Sequence, residues 1–155
     1  MNERISMDAA PEAREALAAL ERYLARSGLD RRLVELVKLR VSMMNGCAYC
    51  VDMHWVALRK TGVSERTLYG LSAWREQAGY SVRERAALSW AETLTRVADT
   101  HVPDGDYHEV ALHFSTKEIA DLSYVVAAIN AWNRICVAFR SRPTSPPELA
   151  DVLEE

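Results

Sequence analysis

The sequence contains little glycine and proline, six and five residues respectively, and these cluster at a few positions along the chain. No segment of strand length alternates strictly between apolar and polar side chains, and β-branched residues are not concentrated anywhere. Because alternation and β-branched enrichment are the usual signs of strands, their absence argues against a protein built on a sheet.

Long apolar runs are also missing, since the longest, such as residues 125–129, fall far short of the about 20 residues that cross a membrane. The chain does not open with a basic stretch followed by an apolar one, which argues against a secretory signal. We therefore expect a cytoplasmic protein without a membrane partner.

An excess of positive charge is absent as well, because 19 lysines and arginines stand against 22 aspartates and glutamates, a net charge of −3. This balance argues against a nucleic-acid partner. Cysteines are few and odd in number, three in all, which fits a reducing compartment better than a disulfide framework. No flavin, haem or nicotinamide motif is present, so we predict no cofactor.

What the chain does have is helical periodicity between its glycines and prolines. Its 155 residues predict a single domain over residues 1–155, with a core at about 11–140 and a C-terminal tail at 141–155. The predicted fold class is all-α, a single-domain bundle of about six to seven helices. The helices are expected at about 11–28, 30–44, 47–62, 64–77, 81–97, 107–114 and 115–140, with a loop at 101–106.

One segment, Asn45-Gly-Cys-Ala-Tyr-Cys-Val-Asp-Met-His54, carries chemistry. It sets Cys47 and Cys50 at the start of a predicted helix, where free N–H groups and the helix dipole stabilise a thiolate. His54 follows Cys50 by one helical turn and so shares its face, and an imidazole can accept a thiol proton near neutral pH. The set supplies a nucleophile, a base and a resolving thiol.

Two other interpretations of these cysteines stay open, a zinc site and inert buried thiols. A closed structural zinc site needs four ligands, and no second Cys-x-x-Cys or His-x-x-His pair appears, so no metal is predicted. Only Cys136 or His101, both distant in sequence, could complete such a site. Cys136 lies between apolar neighbours in the final helix and is predicted to be a small packing residue.

The stretch Leu33-Val-Glu-Leu-Val-Lys-Leu-Arg-Val-Ser42, followed by the cysteine segment, resembles the signature of the alkylhydroperoxidase D-like proteins of the carboxymuconolactone decarboxylase superfamily. That signature is Glu, eleven residues, Cys-x-x-Cys, three residues, His, and this chain matches it at Glu35, Cys47, Cys50 and His54. The later stretch Asn130-Ala-Trp-Asn-Arg134 also resembles the last core helix of these proteins.

The resemblance implies a helical antioxidant protein that assembles as a homotrimer or homohexamer. It implies that Cys50 attacks a peroxide, that Cys47 resolves the sulfenic acid, and that Glu35 and His54 form a proton relay. Some members have a second histidine between the cysteines, where this chain has Tyr49. A phenol is a poor proton acceptor at neutral pH, which predicts a shorter relay and a weaker peroxidase.

Without the resemblance, Glu35 would be interpreted differently. It belongs to a polar stripe at helical spacing, Arg31, Glu35, Lys38, Ser42 and Asn45, and such a stripe is usually a solvated face with weak ion pairs. The resemblance instead directs Glu35 and Asn45 toward the start of the cysteine helix.

The sequence thus predicts a thiol-dependent peroxidase that acts on small organic hydroperoxides. Its electrons would come from an external dithiol or a protein disulfide reductant, and a peroxiredoxin is a candidate partner. A lactone-decarboxylating lyase is a first alternative, although such an enzyme has no chemical use for two neighbouring thiols. A redox-sensing helical oligomer without turnover is a second alternative.

Overall fold

The computed structural model describes residues 2–143, and these contain helices and no strand, which confirms the all-α prediction. The predicted tail falls mostly at residues 144–155, outside the described residues. The helices are α1 (Pro11–Leu24), α2 (Arg31–Met44), α3 (Ala48–Lys60), α4 (Glu65–Gly70), α5 (Val82–Thr95), α6 (Val97–Thr100), α7 (Asp104–Ala111) and α8 (Thr116–Phe139), with short 3₁₀ turns at Met7–Ala9 and Leu71–Ala73.

Side-chain caps fix where several helices begin. The Asp30 carboxylate caps α2 by accepting a backbone N–H from its first turn. Ser81 with Glu84, and Ser115 with Glu118, form complete capping boxes at the starts of α5 and α8. Each box satisfies two backbone donors that a helix N-terminus would otherwise leave unpaired. These starts were predicted from the same residues.

Several boundaries differ from prediction, among them the end of α1 at Leu24 instead of about 28 and the end of α7 at Ala111 instead of 114. Helix α4 ends at Gly70 and not near residue 77. The guanidinium of Arg85 donates hydrogen bonds to the backbone carbonyls of residues 74, 75 and 77, so these carbonyls do not accept the bonds that would continue the helix. Helix α7 begins at Asp104, inside the predicted loop, directly after Pro103. The carboxylates of Asp104 and Asp106 lie in its first turn, where they interact favourably with the positive end of the helix dipole. Val97 belongs to α6, not to α5.

Helix α2 lies at the centre of the fold and packs against α3, α5 and α8. Its apolar stripe is buried completely, with Leu36, Val37, Leu39 and Val41 each at most 1% exposed. The N-terminal part of α3 and the C-terminal part of α8 therefore meet beside α2, and this junction contains the sequence-predicted cysteines.

By length and composition alone α8 could cross a membrane. The helix instead packs against α1, α2, α3, α5 and α7. It also buries Asp121 and Asn133, both hydrogen-bonded inside the protein. A core helix surrounded by five others accounts for its apolar composition.

Candidate active site

Cys47 occupies the N-cap of α3, where its sulfur accepts the backbone N–H of Cys50 at 3.4 Å. The turn before it depends on Gly46, whose φ of +66° is a conformation that residues with a Cβ rarely adopt. The Cys47 N–H in turn donates to the carbonyl of Ser42 at 3.0 Å. A tight turn out of α2 thus directs the first cysteine back over the start of α3.

A third thiol joins the pair. The sulfurs of Cys47, Cys50 and Cys136 all lie within 4.8 Å of one another, and each residue is at most 2% exposed. Cys136 is buried, as expected of a packing residue, but the prediction missed its place in this cluster. No local pattern could have shown it, because the contact depends on how α8 crosses α3.

The cluster favours one negative charge, on Cys47. Hydrogen bonds from the thiols of Cys136 and Cys50, the Cys50 backbone N–H and the Asn133 amide together hold the pKa of Cys47 well below its usual range. The hydrogen bonds that lower the pKa of Cys47 raise the pKa values of the two thiols that donate them, Cys50 and Cys136. The pKa of Cys50 is raised by its hydrogen bonds with Cys136 and Cys47 and by burial, and the pKa of Cys136 by its bond to Cys47.

Glu35 and His54 form a hydrogen-bonded pair, with 2.7 Å between the carboxylate Oε2 and the ring Nδ1. The Glu35 side chain is only 16% exposed, so the solvated-face interpretation of its stripe is wrong. Burial acts to raise the pKa of Glu35, but the hydrogen bond from His54 and the neighbouring positive charges hold it below the ordinary value. The ionised carboxylate only accepts, so Nδ1 carries the hydrogen of the neutral ring and Nε2 keeps its lone pair.

The other ring nitrogen of His54 is the notable atom. Nε2 is buried and has no hydrogen-bond partner among the described residues, although buried polar groups in native proteins are nearly always paired. His54 lines a cavity of about 490 Å³ between α1, α2, α3 and α8. An unpaired nitrogen beside such a space is available to a ligand.

This cavity gives the three thiols unequal access. Cys50 and Cys136 line it together with His54 and Glu35, whereas Cys47 is not among its lining residues. Its remaining walls are mainly apolar, and the charged lining residues are Arg14 and the ion pair between buried Lys38 and partly exposed Glu21. The apolar and aromatic lining residues include Met7, Ala18, Tyr49, Met53, Ala57, Ile129 and Trp132.

Hydrogen-bonded side-chain amides connect the two helices that carry the thiol cluster's neighbouring segments, α2 and α8. The Asn45 side-chain NH₂ donates to the amide oxygens of Asn130 and Asn133, at 3.0 and 2.9 Å. Asn133 donates in turn to the Ser42 hydroxyl at 3.1 Å. These bonds tie the end of α2, from which the Cys47 turn departs, to α8, which carries Cys136. They also show that Asn45 faces α8, next to the cysteine helix.

The three sulfurs could also serve as soft ligands for a metal ion. A closed zinc site needs four protein ligands, and the group contains no fourth histidine, cysteine or carboxylate donor among the described residues. The absence of a metal stays a prediction.

Comparison with known proteins relates this geometry to a family. The model of the carboxymuconolactone decarboxylase family matches residues 8–93, more than half of the 155-residue chain. The chain belongs to this family. The match includes α1 to α3 and with them Glu35, Cys47, Cys50 and His54.

Within the family the chain is AhpD-like. It is 41% identical over 146 residues to YdfG of Bacillus subtilis (strain 168), covering 94% of this chain and 99% of YdfG. It is 42% identical over 59 residues to the alkyl hydroperoxide reductase AhpD of Azorhizobium caulinodans, covering 37% of this chain and 33% of that enzyme. A solved structure from Agrobacterium tumefaciens, for which the role of an antioxidant defence protein AhpD has been suggested, superposes with a TM-score of 0.90 at 44% identity, covering 94% and 100% of the two chains.

Proposed function

We propose that the protein is a thiol-dependent peroxidase that reduces organic hydroperoxides, with Cys50 as the attacking thiol. One observation carries the proposal: Cys50 lines a mainly apolar cavity beside His54, whose buried Nε2 has no hydrogen-bond partner within residues 2–143. A hydroperoxide OH in that cavity could donate to Nε2 while its oxygen meets the Cys50 sulfur. The apolar walls suit a substrate with a hydrocarbon body.

The charge on Cys47 gives the first step a physical basis. The Cys50 thiol donates a hydrogen bond to the Cys47 thiolate, so a proton shift along this bond moves the charge to the sulfur that lines the cavity. The Cys50 thiolate then attacks the terminal peroxide oxygen and breaks the O–O bond. His54 accepts the hydroperoxide proton at Nε2 and returns it to the departing alkoxide, which leaves as an alcohol.

Resolution completes the cycle. Cys47 condenses with the sulfenic acid on Cys50, forming a disulfide and releasing water. An external dithiol reduces that disulfide by exchange through a mixed disulfide. Overall, one thiol, one thiolate and one hydroperoxide, with one proton that the Cys50 sulfenate takes from solvent, give a disulfide, an alcohol and water. We expect this chemistry in the reducing cytoplasm.

A second candidate function is disulfide reduction of a protein partner such as a peroxiredoxin. The low pKa of Cys47 favours it, since the thiolate is the attacking species in thiol–disulfide exchange. It would make Cys47, and not Cys50, the first nucleophile. A lyase activity has no comparable support, because it would leave the thiols without a role.

The two assignments are separated by single substitutions, assayed with cumene hydroperoxide and dithiothreitol. We expect Cys50→Ser to consume no peroxide, because a serine hydroxyl is neither readily ionised nor a comparable nucleophile. Cys47→Ser should consume one equivalent per chain before any reductant is added, at a lower rate because Cys50 then loses its proton without the Cys47 thiolate as acceptor. Serine is a good N-cap residue, so this matched variant should keep the start of α3. Consumption by Cys50→Ser with none by Cys47→Ser would reverse the roles and favour disulfide exchange.

We also propose that the protein works as a homo-oligomer, a trimer or larger, with closed symmetry. Large apolar side chains remain exposed on the single chain, among them Leu112 at 76%, Val82 at 70% and Tyr69 at 62%. Light scattering should give a multiple of the 17.5 kDa chain mass. A monomer at micromolar concentration would contradict this.

A further inference from the structure

The peroxidase cycle above uses two of the three clustered thiols and leaves Cys136 idle. We propose that Cys136 is a second resolving cysteine, which condenses with the sulfenic acid on Cys50 and forms a disulfide that joins α8 to α3. This inference rests on the proposed function, because the sulfenic acid must first be made at Cys50.

Position supports the role. The Cys136 sulfur lies within 4.8 Å of the Cys50 sulfur, and both residues line the cavity in which the oxygen is transferred. A disulfide requires the sulfurs to approach to about 2.05 Å. Cys136 lies in the last turn of α8, which ends where Arg140 adopts a left-handed conformation. A side-chain rotation there disturbs little of the helix beyond it.

The reaction balances without a further reagent. The Cys136 thiol and the Cys50 sulfenic acid form one S–S bond, and the sulfenic hydroxyl leaves with the thiol hydrogen as water. The Cys136 sulfur is oxidised, the sulfenic sulfur is reduced, and the oxidant is the hydroperoxide consumed in the preceding step. Cys47, which holds the proton received from Cys50, can then pass that proton to the Cys136 sulfur as it attacks the Cys50 sulfur of this bond, which releases Cys136 as a thiol and gives the Cys47–Cys50 disulfide.

Two resolving thiols around one sulfenic acid would shorten its lifetime in a site that admits peroxide. A sulfenic acid that waits can be oxidised irreversibly to sulfinic acid. A packing residue of similar size, such as alanine or valine, would fill the same volume without this protection. The position of a thiol there is therefore explained by chemistry as well as by packing.

Trypsin makes the proposed bond visible. Cleavage after Arg40, Arg59, Arg134 and Arg140 releases one peptide, 41–59, with Cys47 and Cys50 together, and a second, 135–140, with Cys136 alone. A Cys47–Cys50 disulfide stays within the first peptide. A Cys50–Cys136 disulfide links the two peptides and is identified by its mass.

The test compares Cys47→Ser with the double variant Cys47→Ser/Cys136→Ser, each treated with one equivalent of cumene hydroperoxide in the presence of dimedone. In the single variant we expect linked peptides 41–59 and 135–140 and no dimedone adduct. In the double variant we expect the adduct on Cys50. Equal adduct in both variants, without linked peptides, would overturn the role of Cys136.

A parallel sample with diamide, which oxidises thiol pairs directly, separates this inference from the proposed function. Linked peptides with diamide, together with a failure of hydroperoxide to oxidise Cys50 in either variant, would refute the peroxidase and with it the resolving role. No linked peptides with either oxidant would refute the inference alone, provided that the double variant still gives the dimedone adduct. Circular dichroism of both variants checks that the fold is intact.

Discussion

Two carboxylates that are largely withdrawn from solvent, Glu35 on α2 and Glu92 on the neighbouring α5, differ in how completely they are paired. Glu92 on α5 accepts the Arg40 guanidinium at 2.7 Å and the Trp74 indole N–H at 2.8 Å on one oxygen, and Arg75 at 2.6 Å on the other. Burial acts to raise its pKa, but these bonds from Trp74, Arg75 and Arg40 hold it below the ordinary value. Both oxygens of the Glu92 carboxylate therefore accept hydrogen bonds.

Glu35 also has a lowered pKa, but its hydrogen bond leads to a histidine with one nitrogen unpaired beside a cavity. A buried group whose hydrogen-bonding atoms are all paired contributes mainly to the stability of one structure. A buried polar atom without a partner usually has a functional reason. We therefore expect the Glu92 cluster to contribute to stability and the Glu35–His54 pair to contribute to the proposed chemistry. Substitutions in the Glu35–His54 pair should therefore change mainly the catalytic rate, and substitutions in the Glu92 cluster should change mainly the free energy of unfolding.

The largest expected effect is on the rate of His54→Ala. Loss of the group that moves the peroxide proton should lower kcat/KM for cumene hydroperoxide by about 10²–10⁴-fold, with little change in urea denaturation. The exposed His108 provides the control His108→Ala, which should leave the rate unchanged. If His54→Ala instead lowered the free energy of unfolding enough to explain its lost activity, the proposed difference between the Glu35–His54 pair and the Glu92 cluster would be wrong.

The opposite pattern is expected for Glu92→Gln. The arginines lose their common counter-charge while Arg40 stays largely buried, so the free energy of unfolding should fall by about 3 kcal/mol. The rate per folded molecule should stay at the wild-type value. Glu76→Gln, at an exposed carboxylate, should change the stability by less than about 0.5 kcal/mol. Equal urea midpoints for the two variants would contradict a structural role for Glu92.

Glu35→Gln should give a smaller loss of rate, about ten- to a hundredfold, because the amide no longer fixes which nitrogen of His54 carries the hydrogen. A second readout is the urea midpoint, which should stay close to the wild-type value. A loss of rate that is matched by a loss of stability would indicate only a packing defect.

The smallest effect is expected in the acid dependence of stability. The folded pKa of Glu92 lies below its ordinary value of 4.5, so the unfolded chain binds the proton first as pH falls. The stability from this group is fully present above the ordinary value and is lost as pH falls through the folded one. The stability gap between wild type and Glu92→Gln should therefore be constant near neutral pH and narrow below about pH 4.5. Urea titrations at several pH values measure it, and a gap that widens in acid would contradict the lowered pKa.

Much of the fold could be predicted because its signals are local. Ser81 with Glu84 and Ser115 with Glu118 mark helix starts within one turn of chain. The end of α4 could not be predicted, because Arg85 from α5 captures its outgoing carbonyls. That competition arises only once the helices have packed.

The site divides in the same way. Cys47, Cys50 and His54 lie within one short segment, so helical spacing is enough to place them together. Glu35 required the family resemblance, since its own stripe is typical of a solvated face. Cys136 and the support from Asn133 depend on the crossing of α8 over α2 and α3, and no spacing along the chain encodes that crossing.

The Cys47 sulfur caps α3, and in the proposed cycle it is also a reacting atom. A sulfur bonded to a second sulfur carries no negative charge and is a weaker acceptor than a thiolate. Oxidation of Cys47 therefore withdraws the cap from the first turn of α3. The order of the first turn of α3 then depends on the redox state of this one sulfur. A reductant could distinguish the oxidised protein from the reduced one by the conformation of the backbone at this helix end.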